Sequence, residues 1–348
     1  VRCRATPRRR RLAALDSAIL TLPNPDLFVF MYVRKEAVLS SQIKGTQSSL
    51  DDLIKAEALI PGTEIPNDAG EVANYVRAMN HGLERLSALP VSGRLIREIH
   101  EKLMINSRGS NRQPGAFRNT QVWIGPKNTL VHEAIFVPPP WQHVDDAISD
   151  LERYVHLSED DAHPLLIRVA LIHAQFETIH PFADGNGRVG RLLITFLLCE
   201  QSVLSKPVLY LSAYLKAHRQ EYYDRLQAVR DAGDWEGWVA FFLRGVTEVA
   251  HQAREVAKRI VALRESHWAL IAEQFGAQTA KALRILERLY SRPVISVNEA
   301  KELLNVSYVN ANDIISKLEA KGILAEYTGN ARNRNFMYSS YVALFSEL

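Results

Sequence analysis

The sequence predicts a mainly α-helical protein with a β-hairpin near its middle and a winged helix at its C-terminal end. Three observations carry this. Apolar residues recur at helical spacing through most of the chain. Strand-like runs are few. Gln121–Ile124 and Ala134–Val137 lie around a turn at Gly125–Asn128, and Pro138, Pro139 and Pro140 end that segment. Beyond residue 275 the pattern becomes three helices followed by two strands, the outline of a winged helix.

Taken in order, Glu36–Ala58 is expected as one helix whose apolar set is Val38, Leu39, Ile43, Leu50, Leu53 and Ile54. Pro61, Gly62 and Pro66 break it. Glu71–Leu86 and Ser92–Asn106 read as amphipathic helices, and Ser107–Gly115 as a loop. Val144–Leu157 is a further helix. Pro164–Ile179 is apolar almost all round, so it belongs at the centre of the molecule. A loop at His180–Gly187 separates it from the apolar Val189–Glu200. Ser212–Ala232 and Trp235–Arg264 complete the helical body. In the tail, Thr279–Tyr290, Val297–Leu304 and Ser307–Lys321 are helices, and Gly322 stops the last. Ile323–Tyr327 and Asn335–Tyr338 are the strands. Three regions follow: an N-terminal helical region at 1–105, a core at 106–275 and a tail at 276–348.

Composition narrows the classes. With 348 residues, 47% hydrophobic and 23% charged, the chain can bury ordinary globular cores. A net charge of +3 is too small for nucleic-acid binding by the whole chain. Cys3 and Cys199 are too few and too differently placed for a disulfide framework, which suits a reducing cytoplasm. Arg8–Arg11 reads as a solvated basic arm, since Asp16 interrupts the apolar run that a signal peptide needs. No run approaches the ~20 apolar residues of a membrane span, so no membrane partner is expected.

Chemistry concentrates in His180-Pro-Phe-Ala-Asp184-Gly-Asn-Gly187-Arg188-Val-Gly-Arg191. A buried helix ends at His180, and a glycine turn opens the next helix. Such turns let backbone N–H groups converge on an anion, and a helix N-terminus adds its positive dipole end. Arg188 and Arg191 are three apart, hence on one face of the first turn, and suit a polyphosphate. Cations there would otherwise oppose the dipole. Asp184 stands where it can hold a Mg²⁺ that bridges phosphates. His180 suits proton acceptance near neutral pH. His163, His173 and His180 lack the accompanying motif of a histidine-ligated metal.

This stretch resembles the Fic family signature H-x-F-x-D-G-N-G-R-x-x-R at every fixed position. Gly115-Ala-Phe-Arg118, Val122-Trp-Ile-Gly125 and Phe136-Val-Pro-Pro139 are similar to the ends of that family's target-docking hairpin, or flap. Glu36 to Gln47 resembles its inhibitory helix, taken here to span about 36–58. The resemblance covers most of the chain from Glu36 onward. It implies a Fic-type helical bundle that transfers AMP from ATP to a Ser, Thr or Tyr hydroxyl of a target protein and releases pyrophosphate.

The resemblance also assigns roles. His180 would take the hydroxyl proton, Asp184 would bind Mg²⁺, and Phe182 would anchor the loop in the core. Gly185, Asn186 and Gly187 would form the anion hole. Arg188 would meet the β-phosphate region and Arg191 the γ-phosphate. Val131, His132, Glu133, Ala134, Ile135, Phe136 and Val137 would align the target by strand addition. His218 and Tyr222, four apart, are candidates for the nucleoside pocket, and an ordinary packing pair is an equal alternative. The inhibitory pattern S/T-x-x-x-E-G/N finds Ser40 and Gly45 in place but Lys44 where the carboxylate should be. That exchange reverses the charge facing Arg191 and implies a derepressed enzyme.

Other readings compete. Family branches that transfer phosphate or another phospho-group depart from the motif at the Asp or Asn-Gly positions, and this chain does not. A DNA-binding regulator with a vestigial core is the third reading. From Ala277 to Leu348 nine Lys/Arg face seven Asp/Glu, a weak footprint for DNA. Arg332 and Arg334 are the phosphate candidates in the wing, while a structural or protein-docking role is favoured. The target, which includes the chain itself as a candidate, is not named by the sequence, and a homodimer is left open.

Overall fold

The computed structural model describes residues 25–58, 68–105, 113–125, 130–158, 163–329 and 334–346. The basic arm, Cys3, the breakers Pro61, Gly62 and Pro66, most of the hairpin turn and Arg332 lie outside these.

The expected first helix is two. Helix α1 runs Pro25–Lys44 and α2 runs Leu50–Glu57. Gly45 adopts φ 110°, open to glycine and costly for other residues, and this turns the chain. Ser49 then caps α2, its hydroxyl accepting from the Asp52 N–H while Asp52 reaches back to the Ser49 N–H. Helices α3 (Ala69–Arg85) and α4 (Gly93–Leu103) follow, with Ser92 capping α4. They pack on each other and α3 packs on α1.

The centre is formed by α6 (Leu165–Ile179) and α7 (Asn186–Glu200), with α5 (Val144–Val155) against α6. Val169, Ala170, Phe176, Val189, Leu192 and Phe196 are fully buried. Burying each large apolar side chain here contributes about 1.5–3 kcal/mol. The expected helix 212–232 breaks at His218 (φ −110°, ψ 39°) into α8 (Ser212–Ala217) and α9 (Arg219–Ala232). Helix α10 runs Trp235–Gln274, ten residues past its expected end, and no Gly or Pro lies between Arg264 and Gly276 to stop it. Its Trp238 is buried against α6, where the indole N–H donates to the Ala170 carbonyl at 2.8 Å.

The tail carries α11 (Thr279–Ser291), β1 (Val294–Ser296), α12 (Val297–Leu304), α13 (Tyr308–Ala320), β2 (Ala325–Glu326), β3 (Asn335–Met337) and α14 (Ser339–Ser346). The strands form one antiparallel sheet in the order β1-β3-β2. β1 and α14 were not foreseen: β1 is too short for an alternation to register, and α14 is apolar without helical periodicity. Helix α14 packs on α1 and α10. Phe345 meets Tyr32 edge-on at 5.2 Å, and Lys35 donates to the Phe345 carbonyl. The tail is thus packed against the N-terminal helix.

Candidate active site

The site forms where α6 stops. His180 sits in the left-handed region (φ 50°, ψ 59°), and its N–H donates to Phe176 at 3.0 Å. A non-glycine residue there costs roughly 1–2 kcal/mol, so neighbours must hold it. Its Nδ1 lies 3.3 Å from the Glu177 carbonyl, which can only accept. The ring proton therefore belongs on Nδ1, and Nε2 is the basic nitrogen. Burial pushes the imidazole down to about 4, helped by the Arg230 and Arg118 charges. At neutral pH it is an uncharged base.

Arg118 supplies the hold. It is 5% exposed, and Nε donates to the His180 carbonyl at 2.9 Å. One terminal nitrogen donates to Pro139 at 2.6 Å and to Ile179 at 3.3 Å. Its backbone N–H donates to Pro181 at 2.8 Å. One side chain thereby ties the end of the flap to the strained turn. His100 does similar work below. It stacks on Phe182 at 3.7 Å, accepts from the Gly115 N–H at 2.9 Å and donates from Nε2 to the Asp184 carbonyl at 3.0 Å. Both residues lay in readable segments, but no sequence signal gave either a task.

The loop closes on itself. Asn186 accepts from the Phe182 N–H and donates to its carbonyl, both at 2.8 Å. The Asn186 side chain therefore shapes the loop, and only its backbone N–H is left for the expected anion hole. Gly185, at φ 84°, makes the reversal into α7. The first helical bond is Val189 to Gly185, so the N–H groups of Asn186, Gly187 and Arg188 remain at the helix opening. The Arg191 guanidinium lies over Gly187, where a Cβ would come within 3.0 Å of it.

Both arginines are buried in place. Arg188 is 1% exposed and pairs with Glu71 of α3 at 3.3 Å, while its Nε has no hydrogen-bond partner. Arg191 donates to the Ser40 hydroxyl at 2.8 Å and carbonyl at 3.0 Å. The Glu177 charge acts on it, and burial raises the Glu177 carboxyl despite Arg191 and Arg230. Lys44 stands where the family's carboxylate would face Arg191, and repulsion between the two cations should turn its ammonium aside. It does turn aside, to a partner that was not foreseen, Asp184, with Nζ 2.8 Å from each carboxylate oxygen. Arg191 is bonded to Ser40, and the ammonium pairs with Asp184. Burial raises the Asp184 carboxyl, but the Lys44 and Arg188 charges outweigh it and hold it below the ordinary value. Among the described residues no group of three or more His, Cys, Asp or Glu side chains could hold a metal, so a Mg²⁺ at Asp184 would need nucleotide phosphates and water as its other ligands.

The flap is only partly a hairpin among the described residues. Ile124 and Phe136 form one bridge, and Val131–Glu133 is a single 3₁₀ turn. Phe136 is held under the Arg230 guanidinium at 3.7 Å, while Ile135 and Val137 are 65% and 43% exposed. This leaves an extended apolar edge beside the loop. A cleft of about 470 Å³ lies on the other arm of the flap, lined by Phe117, Arg118, Thr120, Val122, Trp123 and, from the loop, Ala183. The nucleoside candidates do not share a wall. The Tyr222 hydroxyl is buried against His173 at 3.0 Å, while His218 is exposed and packs on Tyr214. The break at His218 is the reason.

Comparison with known proteins agrees with this geometry. The Fic/DOC family N-terminal region matches residues 4–84, and the Fic/DOC family matches residues 90–198. A probable protein adenylyltransferase of Aquifex aeolicus is 29% identical over 196 residues, 56% of each chain. A protein adenylyltransferase of Caenorhabditis briggsae is 24% identical over 252 residues, 71% of this chain and 45% of the relative. The chain thus spans about half the length of these curated relatives. The fold matches the crystal structure of a Fic family protein from Desulfovibrio desulfuricans with TM-score 0.57 and 19% identity, covering 95% of this chain and 96% of that one. A Fic domain containing signalling protein of Bacteroides thetaiotaomicron matches with TM-score 0.56 and 16% identity, covering 72% and 97%.

Proposed function

The chain belongs to the Fic/DOC family, and from that premise we propose that it is a protein adenylyltransferase, moving AMP from ATP to a protein hydroxyl. The observation that carries this is the pairing of an uncharged His180 with the N–H nest and two arginines one loop away. In the proposed step, His180 Nε2 takes the proton of a Ser, Thr or Tyr hydroxyl. The oxygen bonds to the α-phosphorus, the bond from that phosphorus to the bridging oxygen breaks, and pyrophosphate leaves with the bond's electrons. The N–H groups of Asn186, Gly187 and Arg188, with the Arg188 and Arg191 charges, oppose the negative charge that develops. Asp184 would hold a Mg²⁺, whose charge would neutralise the phosphates. The exposed edge at Ile135 and Val137 would receive the target backbone as an added strand.

Two finer readings rest on the same geometry. Position 44 offers no carboxylate to Arg191, which supports an enzyme whose γ-phosphate contact is derepressed. The tail's helix order and three-stranded sheet support a winged helix. Tyr308 and Val309, 51% and 74% exposed at the start of α13, favour protein docking over DNA. Arg334 packs on Phe336 at 5.1 Å. No described helix is long and apolar enough to cross a membrane; a cytoplasmic setting is proposed on the cysteine usage alone. The experiment is mass spectrometry of the protein and of lysate proteins after incubation with ATP. An AMP adduct on a hydroxyl residue supports the reading, and a phosphate adduct replaces it with phosphoryl transfer.

A further inference from the structure

The pairing of Lys44 with Asp184 is not the contact that the motif leads one to expect. The ammonium lies 2.8 Å from both oxygens of the carboxylate that faces the phosphate nest. The backbone beneath it is fastened. Arg191 bonds to Ser40 one turn earlier, Gln42 donates to Ser48 at 3.0 Å, and Lys216 donates to Gln42 at 2.6 Å. Thr46 donates to Ser41 at 2.6 Å. The end of α1 is therefore tied on both sides, and Lys44 is presented to Asp184 from a fixed base.

Asp184 has further positive neighbours. Its Oδ1 accepts the Gly185 N–H at 2.7 Å, and the Arg188 charge also acts on it. A divalent cation on these oxygens and an ammonium within 2.8 Å of them would repel strongly. The two occupants exclude each other. Resting on the reading of Asp184 as the metal ligand, we infer that Lys44 is a resident cation at that seat and competes with Mg²⁺ for it. The helix end then acts on the metal position, where the expected carboxylate would have acted on Arg191. Two consequences follow. Lys44 neutralises Asp184 when no metal is present, so nucleotide phosphates meet less repulsion there. It also raises the Mg²⁺ concentration at which the seat fills.

The pair is partly exposed, 42% at Lys44 and 24% at Asp184, so the effect is modest. Exposed ion pairs of this kind correspond to roughly two- to fivefold in a binding constant. The test uses the full chain as wild type, Lys44→Met, Asp184→Asn and the double variant. Manganese binding is read from the electron spin resonance of free Mn²⁺, with and without a non-hydrolysable ATP analogue. Metal-free binding of that analogue is read by calorimetry. Lys44→Met should bind Mn²⁺ about two- to fivefold tighter and the metal-free analogue weaker by a similar factor. Adding Lys44→Met to Asp184→Asn should change neither affinity. Equal Mn²⁺ affinity in wild type and Lys44→Met overturns the inference, as does Mn²⁺ binding that survives Asp184→Asn. If no variant binds the analogue, the nucleotide-transfer reading fails, and the Mn²⁺-alone titration still decides the role of Lys44.

Discussion

Replacing Arg118 with methionine removes the guanidinium that spans the flap and the His180 turn while keeping most of the side-chain volume. The His180 and Pro139 carbonyls, now 2.9 and 2.6 Å from its nitrogens, lose those donors in a region where Arg118 is only 5% exposed. Each orphaned buried acceptor costs about 1–3 kcal/mol, so the loss is roughly 2–6 kcal/mol. The left-handed turn at His180 loses its main support and relaxes. A shift of ~1 Å in a reacting group can cost ~10²-fold in rate. The anion nest is built on α7 and does not touch Arg118. Therefore kcat should fall ~10²-fold while the Kd for ATP stays within ~3-fold. Denaturant unfolding measures the stability change, and steady-state label transfer with direct ATP titration separates kcat from binding. Arg118→Lys, which can still donate to one carbonyl, should recover part of kcat. A folded Arg118→Met protein with unchanged kcat would refute the coupling.

Three further outcomes follow. Because His180 is pushed to about 4, the acidic limb of kcat/KM should lie well below pH 6, and a limb at the ordinary 6.5 contradicts the buried, uncharged base. His100 and His173, at about 4 and about 3, are also held uncharged by burial. The unfolded chain protonates these first, so stability should fall as pH drops from 6.5 toward 4, by about 1.4 kcal/mol per pH unit for each uncompensated proton. Glu36, raised to about 7 by burial, takes its proton in the folded state and offsets about one of them; urea midpoints across pH 7 to 4 check the slope. Phe345→Ala should destabilise the whole chain by about 3–5 kcal/mol, since Phe345 is fully buried against Tyr32. A change under ~1 kcal/mol in thermal unfolding would mean that α14 is not part of the core.

The legible parts of the protein are those where one segment determines its own structure. Pro164–Ile179 is apolar on all sides and is the buried central helix. Gly185 makes the reversal, and the two arginines lie three apart on α7, as their spacing requires. What escaped reading depends on partners distant in sequence. Arg118 meets residues 139 and 179–181, and His100 meets Asp184 and Phe182. No local period announces such contacts. Lys44 was readable as a charge reversal but not as the partner of Asp184, because that pairing joins residues far apart in sequence. The break at His218 and the run of α10 to Gln274 show the same limit. Helix ends without strong Gly or Pro signals are decided by packing.

The central claim is that His180 and the following nest move the AMP portion of ATP onto a protein. Parallel incubations with ATP labelled in the α-phosphate or in the γ-phosphate test it most directly, using wild type and His180→Ala, with label read on protein after separation. Protein label should come from the α-position alone. His180→Ala should bind ATP as before and lose transfer by ~10²–10⁴-fold, the usual contribution of a general base. Protein label from the γ-position, or His180→Ala transferring at the parent rate, would contradict the claim.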